Sequence, residues 1–342
     1  MYEHISRDRV QIGRALTEDE IDELVQNPEL VYVQFSEQPE ARILDALNER
    51  LFARRPDVWL RVFGSYAEAA DLGFLERMQA VTQLSLDCLQ EVANLDAVAK
   101  LSNLKALKLD IYQLSSLDVL YAIPESLDWL HIGKTKSKKP DLYAIQRFGR
   151  LRTLEIYGQS RNIEAIRYLK QLETLALGST TLDEVSYLAL LPKLRSLELS
   201  NLALRDMSGL AALTGLEQLK LWNVKLPSDL AFISGLKSLK GLTLEAMSTV
   251  EELPALSALP DLRSVRLENI KTLRRLNELE AAPALEQFMH VSVGKMNPED
   301  YLPVLRNPSV QRVNVGFQSQ KKYESFEKLA LMHGKTPRSW FK

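Results

Sequence analysis

The sequence predicts an α/β solenoid, in which short parallel strands alternate with slim connections and stack coil upon coil. Three observations predict it. A six-residue pattern, apolar-x-x-apolar-x-apolar, recurs along most of the 342 residues. From Leu104 onward its clear copies follow one another at intervals of 21 to 24 residues. Between copies the apolar period changes from two to three.

Self-similarity is the first property to test in a chain of this length. Clear copies open at Leu104, Leu127, Leu151, Leu172, Leu194, Leu216, Leu239 and Leu262. Weaker ones open at Leu30, Asp57, Val81, Leu285 and Val310, giving about thirteen units. In "LEQLKL", Leu219 and Leu221 are two apart, so both point to one face of a strand. The connection before it carries Leu204, Met207, Leu210, Leu213 and Leu216. A strict step of three favours 3₁₀ turns, in which residues i and i+3 eclipse. The early connections are longer, and "EARILDALNERLF" reads as α-helical. Before the first strand, Thr17 and Glu20 have capping-box spacing for a helix in "LTEDEIDELV". At the other end "YESFEKLALMHG" reads as a helix stopped by Gly334. The expected organisation is an N-terminal helical cap at 1–29, a solenoid at 30–317, and a C-terminal helical cap and tail at 318–342.

These repeats resemble the leucine-rich repeat family. Their length of roughly 22 residues is similar to the class that includes the protein phosphatase-1 regulatory repeat protein and the internalins. The resemblance implies a curved solenoid with a parallel sheet on its concave face and mostly 3₁₀ or short helical turns on its convex face. The family often places Asn three residues after a strand's last leucine. Those positions here hold Tyr112, Thr180, Leu202, Val224, Met247 and Ile270, so apolar packing must replace an asparagine ladder.

Composition bounds function. A formal charge of −2 and 46% hydrophobic residues describe a globular chain and argue against a general nucleic-acid binder. Cys88 is the single cysteine, which excludes a disulfide framework and a cysteine-built zinc site. No apolar run approaches membrane-helix length, and no apolar stretch follows "MYEHISRDRV" as in a secretory signal. A reducing cytoplasm is the expected setting. The histidines are scattered, and both "GKT" triplets lack the upstream glycine of a phosphate loop. No cofactor, metal or catalytic residue is expected. Lys134, Lys136, Lys138 and Lys139 read as a solvated loop.

The residues alternating with the inward leucines face the open side of the sheet. Trp59, Trp129 and Trp222 fall on such outward positions, where tryptophan needs an explanation. Tyr157 with Glu155 on one side, and Trp222 on the other, flank small residues and Glu198. This arrangement predicts an aromatic-walled notch that accepts a partner's Lys or Arg, with Lys220 and His131 alongside. The expected function is a non-enzymatic scaffold that binds another protein on this face. A bacterial toxin-neutralising or effector-binding role is the narrower expectation. The alternatives are a regulatory subunit docking on an enzyme such as a phosphatase, and an enzyme or small-ligand binder using the groove.

Overall fold

The computed structural model describes residues 2–13, 16–67, 69–137, 140–225, 230–292 and 294–337; Lys138, Lys139 and the chain's fourth tryptophan, Trp340, lie outside them. The chain divides into two compact units, Met1–Leu172 and Glu173–Lys342. Coils of a repeat array pack on their sequence neighbours, so this division within the repeats reflects compactness and not a change of fold.

Every motif copy carries a strand that opens two residues after the motif's first residue. In the first unit these are Tyr32–Phe35, Trp59–Phe63, Gln83–Leu89, Ala106–Ile111, Trp129–Ile132 and Thr153–Tyr157, paired in parallel and in order. In the second they are Thr174–Gly178, Ser196–Ser200, Gln218–Trp222, Gly241–Glu245, Ser264–Glu268, Gln287–Val291 and Arg312–Gly316, again parallel. Registers match slot to slot, with Leu219 beside Leu197 and Leu242, and Leu221 beside Leu199 and Leu244. These inward leucines are no more than 2% exposed. The step-of-three connections are 3₁₀ turns, such as Ser186–Leu190, Ser208–Ala212 and Ala231–Gly235. The longer early connection is helical throughout, an α-helix at Ala41–Ala46 running into a π-helical turn at Leu47–Phe52.

The segment before Leu30 is not helical alone. Tyr2–Ser6 and Arg9–Ile12 form an antiparallel hairpin, and Arg9–Ile12 then pairs in parallel with Tyr32–Phe35. "RVQI" alternates polar and apolar residues, burying Val10 and Ile12 and extending the leucine rows by one strand. The outer strand is mostly exposed, which suits a polar sheet edge. The helix Glu18–Gln26 follows with its capping box intact. The Thr17 amide donates to Glu20 Oε2 at 2.8 Å, and the Glu20 amide to Thr17 Oγ1 at 3.2 Å. At the far end Gln320–Met332 closes in a Schellman turn, with Lys335 N donating to Ala330 O and Gly334 N to Leu331 O around Gly334 at φ +69°.

Six of the second unit's seven strands are left through a left-handed residue. In the second unit Ser179, Asn201, Asn223, Ala246, Asn269 and Ser292 all have φ between +48° and +55°. The Asn201 amide donates to Trp222 O at 2.8 Å, that of Asn223 to Glu245 O at 2.9 Å, and that of Ala246 to Glu268 O at 2.9 Å. Asparagine is therefore used here one residue earlier than in the ladder slot, where αL geometry favours it. Asn223 Nδ2 also donates to Asn201 Oδ1 at 2.8 Å. Apart from a buried Thr180, the ladder slot itself is filled by apolar or aromatic side chains. Leu202, Val224, Met247 and Ile270 are buried, although Tyr112 is 40% exposed.

His290 occupies an inward slot that holds leucine or valine on either side, Leu267 and Val315. It is fully buried; Nδ1 lies 2.8 Å from the Tyr301 hydroxyl, while Nε2 has no hydrogen-bond partner among the described residues. Burial pushes the imidazole down from 6.5 to about 4. As pH falls below 6.5 the unfolded chain takes up a proton that the folded chain refuses, so stability drops. Urea titrations should show the second unit losing about 2 kcal/mol between pH 6.5 and about pH 5 from this group. His290→Leu should flatten that slope, and an unchanged slope would refute the assignment.

Candidate functional site

The open face of the first unit carries two rows of side chains. In the first, Tyr32 pairs in register with Trp59, and Ala106 with Trp129. Trp59 and Trp129 stand three strands apart, about 14 Å along the sheet. Their rings nevertheless meet edge to face, with centroids 5.2 Å apart, and Ala106 between them is buried. Tyr32 lies 6.0 Å from Trp59, and His131 stacks on Trp129 at 6.0 Å and lies 5.5 Å from Tyr157. Both tryptophans are half-buried. Their outward placement is as the alternation predicts, but they pack on each other. Neighbour size alone conceals this, because the rings meet over two intervening strands, across Ala106 and across Gln83, whose side chain turns away to donate to Pro56 O at 3.1 Å.

The second row is ionic. Gln34 bridges Gln11 and Arg61, donating to the first at 2.9 Å and accepting from the second at 2.6 Å. Arg61 Nε donates to Asp87 Oδ2 at 2.7 Å, and Lys108 Nζ donates to Asp87 Oδ1. Burial alone would raise the Asp87 carboxyl, but hydrogen bonds from Lys108 and Arg61 outweigh it and hold the group below the usual carboxylate range. Farther along the row, His131 Nδ1 lies 2.8 Å from Glu155 Oε2. Thus Glu155 already has a partner inside the chain. None of the Arg61, Asp87 and Lys108 network was singled out from sequence. Its signal is the alternation itself, which places all three on outward positions of adjacent strands.

Asp87, Cys88 and Asp110 bring one ligand atom each within 4.8 Å of one another. The donor set does not suit a metal ion. Both Asp87 oxygens are engaged by cations, and the Cys88 thiol is pushed up by burial and by the Asp87 charge. Asp110 accepts the Tyr66 hydroxyl at 3.0 Å, and burial followed by that carboxylate raises the Tyr66 hydroxyl.

On the second unit's open face Trp222 pairs in register with Ser200 and Glu245. It is 37% exposed, while Ser200 beside it is buried. Lys220 Nζ lies 5.9 Å from the Trp222 ring centroid and 3.2 Å from Glu198 Oε1. The Trp222 ring is thus flanked by a cation on its own strand, and Glu198, like Glu155, is engaged within the chain. Tyr157 and Glu155 belong to the first unit, and Trp222, Glu198 and Lys220 to the second.

No protein-family model matches this sequence, and no curated protein does. Solved structures do resemble it. An internalin, InlF, of Listeria monocytogenes matches with a TM-score of 0.57 at 17% identity, over 92% of this chain and 87% of that one. A leucine-rich repeat protein of Leptospira interrogans matches with a TM-score of 0.57 at 19% identity, over 95% and 93%. The TLR13 chain of a TLR13–ssRNA13 complex matches at 0.57 and 17%, over 88% of this chain but 45% of that one. At these identities the likeness establishes the fold.

Asp87 is the shared carboxylate of the ionic row, so its loss should cost more than the loss of either cation. Asp87→Asn leaves Arg61 and Lys108 facing each other and should destabilise the first unit by about 2–4 kcal/mol in urea unfolding. Lys108→Met should cost about 1 kcal/mol, because Arg61 still satisfies the carboxylate. Equal costs would contradict the shared role.

Proposed function

We propose that this leucine-rich repeat solenoid is a non-enzymatic scaffold that binds another protein on the open face of its sheet. The observation that carries the reading is Trp222. An indole 37% exposed stands on a strand whose inward leucines are buried, among polar neighbours. Tryptophan is among the residues enriched in interface hot spots, and a pre-formed sheet binds without a large ordering cost. The partner class is protein and not nucleic acid. A net charge of −2 supports this. The ring contacts of His131 with Trp129 and Tyr157 support an orienting role for the His131 and Glu155 pair over a catalytic one. A reducing setting such as the cytoplasm suits the lone free Cys88; among the described residues no helix is long and apolar enough to cross a membrane.

A pair of variants tests the reading. Leu219→Ala truncates a buried inward leucine and should cost about 2–5 kcal/mol of stability. Trp222→Ala should leave Tm unchanged and weaken the partner by about 2 kcal/mol or more, roughly thirtyfold in Kd. Quantitative capture with wild type and Trp222→Ala, followed by a titration of the protein lost from the mutant, gives the measurement. If Trp222→Ala unfolds the protein as Leu219→Ala does, or retains every captured protein, the reading fails.

A further inference from the structure

The second unit's open face changes character after Trp222. A cleft of about 350 Å³ opens over the last strands. Thr243 and Ser264 form its small-residue side, Gln287 and half-buried Met289 line it, and Arg266 and Arg312 bring two guanidinium groups. The register fixes this set, since Thr243 lies beside Arg266, Ser264 beside Gln287, and Gln287 beside Arg312. Gly241, next to Ser264, leaves room on its other side for the Gln218 side chain, which a Cβ at that position would strike.

The two arginines are placed differently. Arg266 is held on one edge by Glu268, with Nη2 at 2.7 Å and Nε at 3.3 Å from Oε2. That contact orients the guanidinium and leaves Nη1 unpaired among the described residues. Arg312 is exposed and has no ion pair among them. Elsewhere on this face the cation Lys220 has its own acid, Glu198. Arg312 therefore brings to the cleft a positive charge that no acid among the described residues neutralises, beside an apolar Met289, while Arg266, paired to Glu268, keeps Nη1 to offer.

We infer that this cleft docks an extended acidic segment of the partner protein, with carboxylates received by Arg266 and Arg312 and an intervening small or apolar side chain against Met289. The inference rests on the protein-binding reading of the open face. Arg266 and Arg312 stand two strands apart and two residues out of register, about 12 Å at the backbone, a span of three to four residues of an extended segment. Guanidinium groups favour carboxylates through paired, charge-assisted hydrogen bonds. The acids flanking the cleft, Glu268 and Glu245, repel a polyanion of uniform charge and so favour a short acidic segment.

Met289 supplies a readout independent of partner capture. The protein is labelled with ¹³C at its methionine methyl groups, with Met289 assigned through Met289→Leu. It is then titrated with a capped Glu-Ala-Ala-Glu peptide, its Gln-Ala-Ala-Gln analogue and inorganic phosphate at matched ionic strength. The Met289 methyl should shift and saturate with the glutamate peptide alone. Arg312→Gln and Arg266→Gln should each weaken that titration by about tenfold or more, with the other methionine signals in place as proof of folding. Trp222→Ala should leave it intact. A silent Met289, an equal response to the glutamine peptide or to phosphate, or indifference to both arginine variants overturns the inference. Loss of the captured partner on Trp222→Ala with a silent Met289 leaves the scaffold reading standing. A saturating Met289 with capture indifferent to Trp222 rejects that reading and keeps the cleft.

Discussion

Two inward apolar residues on each short strand, two positions apart, are the constraint on which the rest depends. A strand of four or five residues with one buried face has no stability alone. It becomes stable when Leu219 meets Leu197 and Leu242, and Leu221 meets Leu199 and Leu244. Each fully buried leucine contributes about 1.5–3 kcal/mol. The repeat length follows from this requirement. After the strand the chain must turn, run back behind the leucines, and return one strand spacing away. A step-of-three 3₁₀ turn does this while keeping Val185, Leu188 and Leu191 on the core side.

Turning so tightly leaves backbone groups to satisfy, and polar side chains do that work. At the strand exits, left-handed residues aim their amides at the next coil's carbonyls. At the ends of the connections, side chains from the following coil reach back. Arg55 Nη1 donates to Asn27 O at 2.8 Å and Nη2 to Leu30 O at 3.1 Å, closing the end of the first helix. Arg147 does the same for Leu120 and Ile123, Asn307 for Leu279 and Ala282, and Lys335 for Asn307 and Val310. Burial lowers the Lys335 ammonium, and the two carbonyls that accept from it, Asn307 O at 2.9 Å and Val310 O at 2.6 Å, offset that desolvation. Polar residues at these positions therefore tie coil to coil alongside the leucines.

The legibility of the sequence follows the same physics. Strand positions could be read because a period of two admits no drift, and one slip would turn every leucine to solvent. The 3₁₀ turns could be read for an equally strict period. The hairpin before Leu30 was hidden because its inner strand has only Val10 and Ile12 to announce it. Asn201 and Asn223 were hidden because their role is a backbone conformation, visible in the chain only as Asn, Ser or Ala at a shared slot. For the open face, alternation fixed which side chains point outward, Trp59, Trp129, Tyr157 and Trp222 among them. It did not fix which of them meet. Trp59 and Trp129 touch across Gln83 and Ala106, a contact set by indole length, a small residue and a glutamine turned aside to Pro56 O, and none of these belongs to one repeat.

That distinction separates the two open faces. On the first unit, aromatic rings are matched to rings, Asp87 to Arg61 and Lys108, and Glu155 to His131. Such groups have already spent their interaction energy within the chain, and a partner approaching them must break one contact to make another. On the second unit, Trp222 keeps over a third of its surface in water and Arg312 has no ion pair among the described residues. A partner there removes apolar surface from water and neutralises a standing charge without a compensating loss. Net binding energy arises where the folded chain has left something unsatisfied. On the proposed reading, the part of the surface that sets affinity lies on the strands from Gln218 to Gly316, where Trp222 and Arg312 are left unsatisfied.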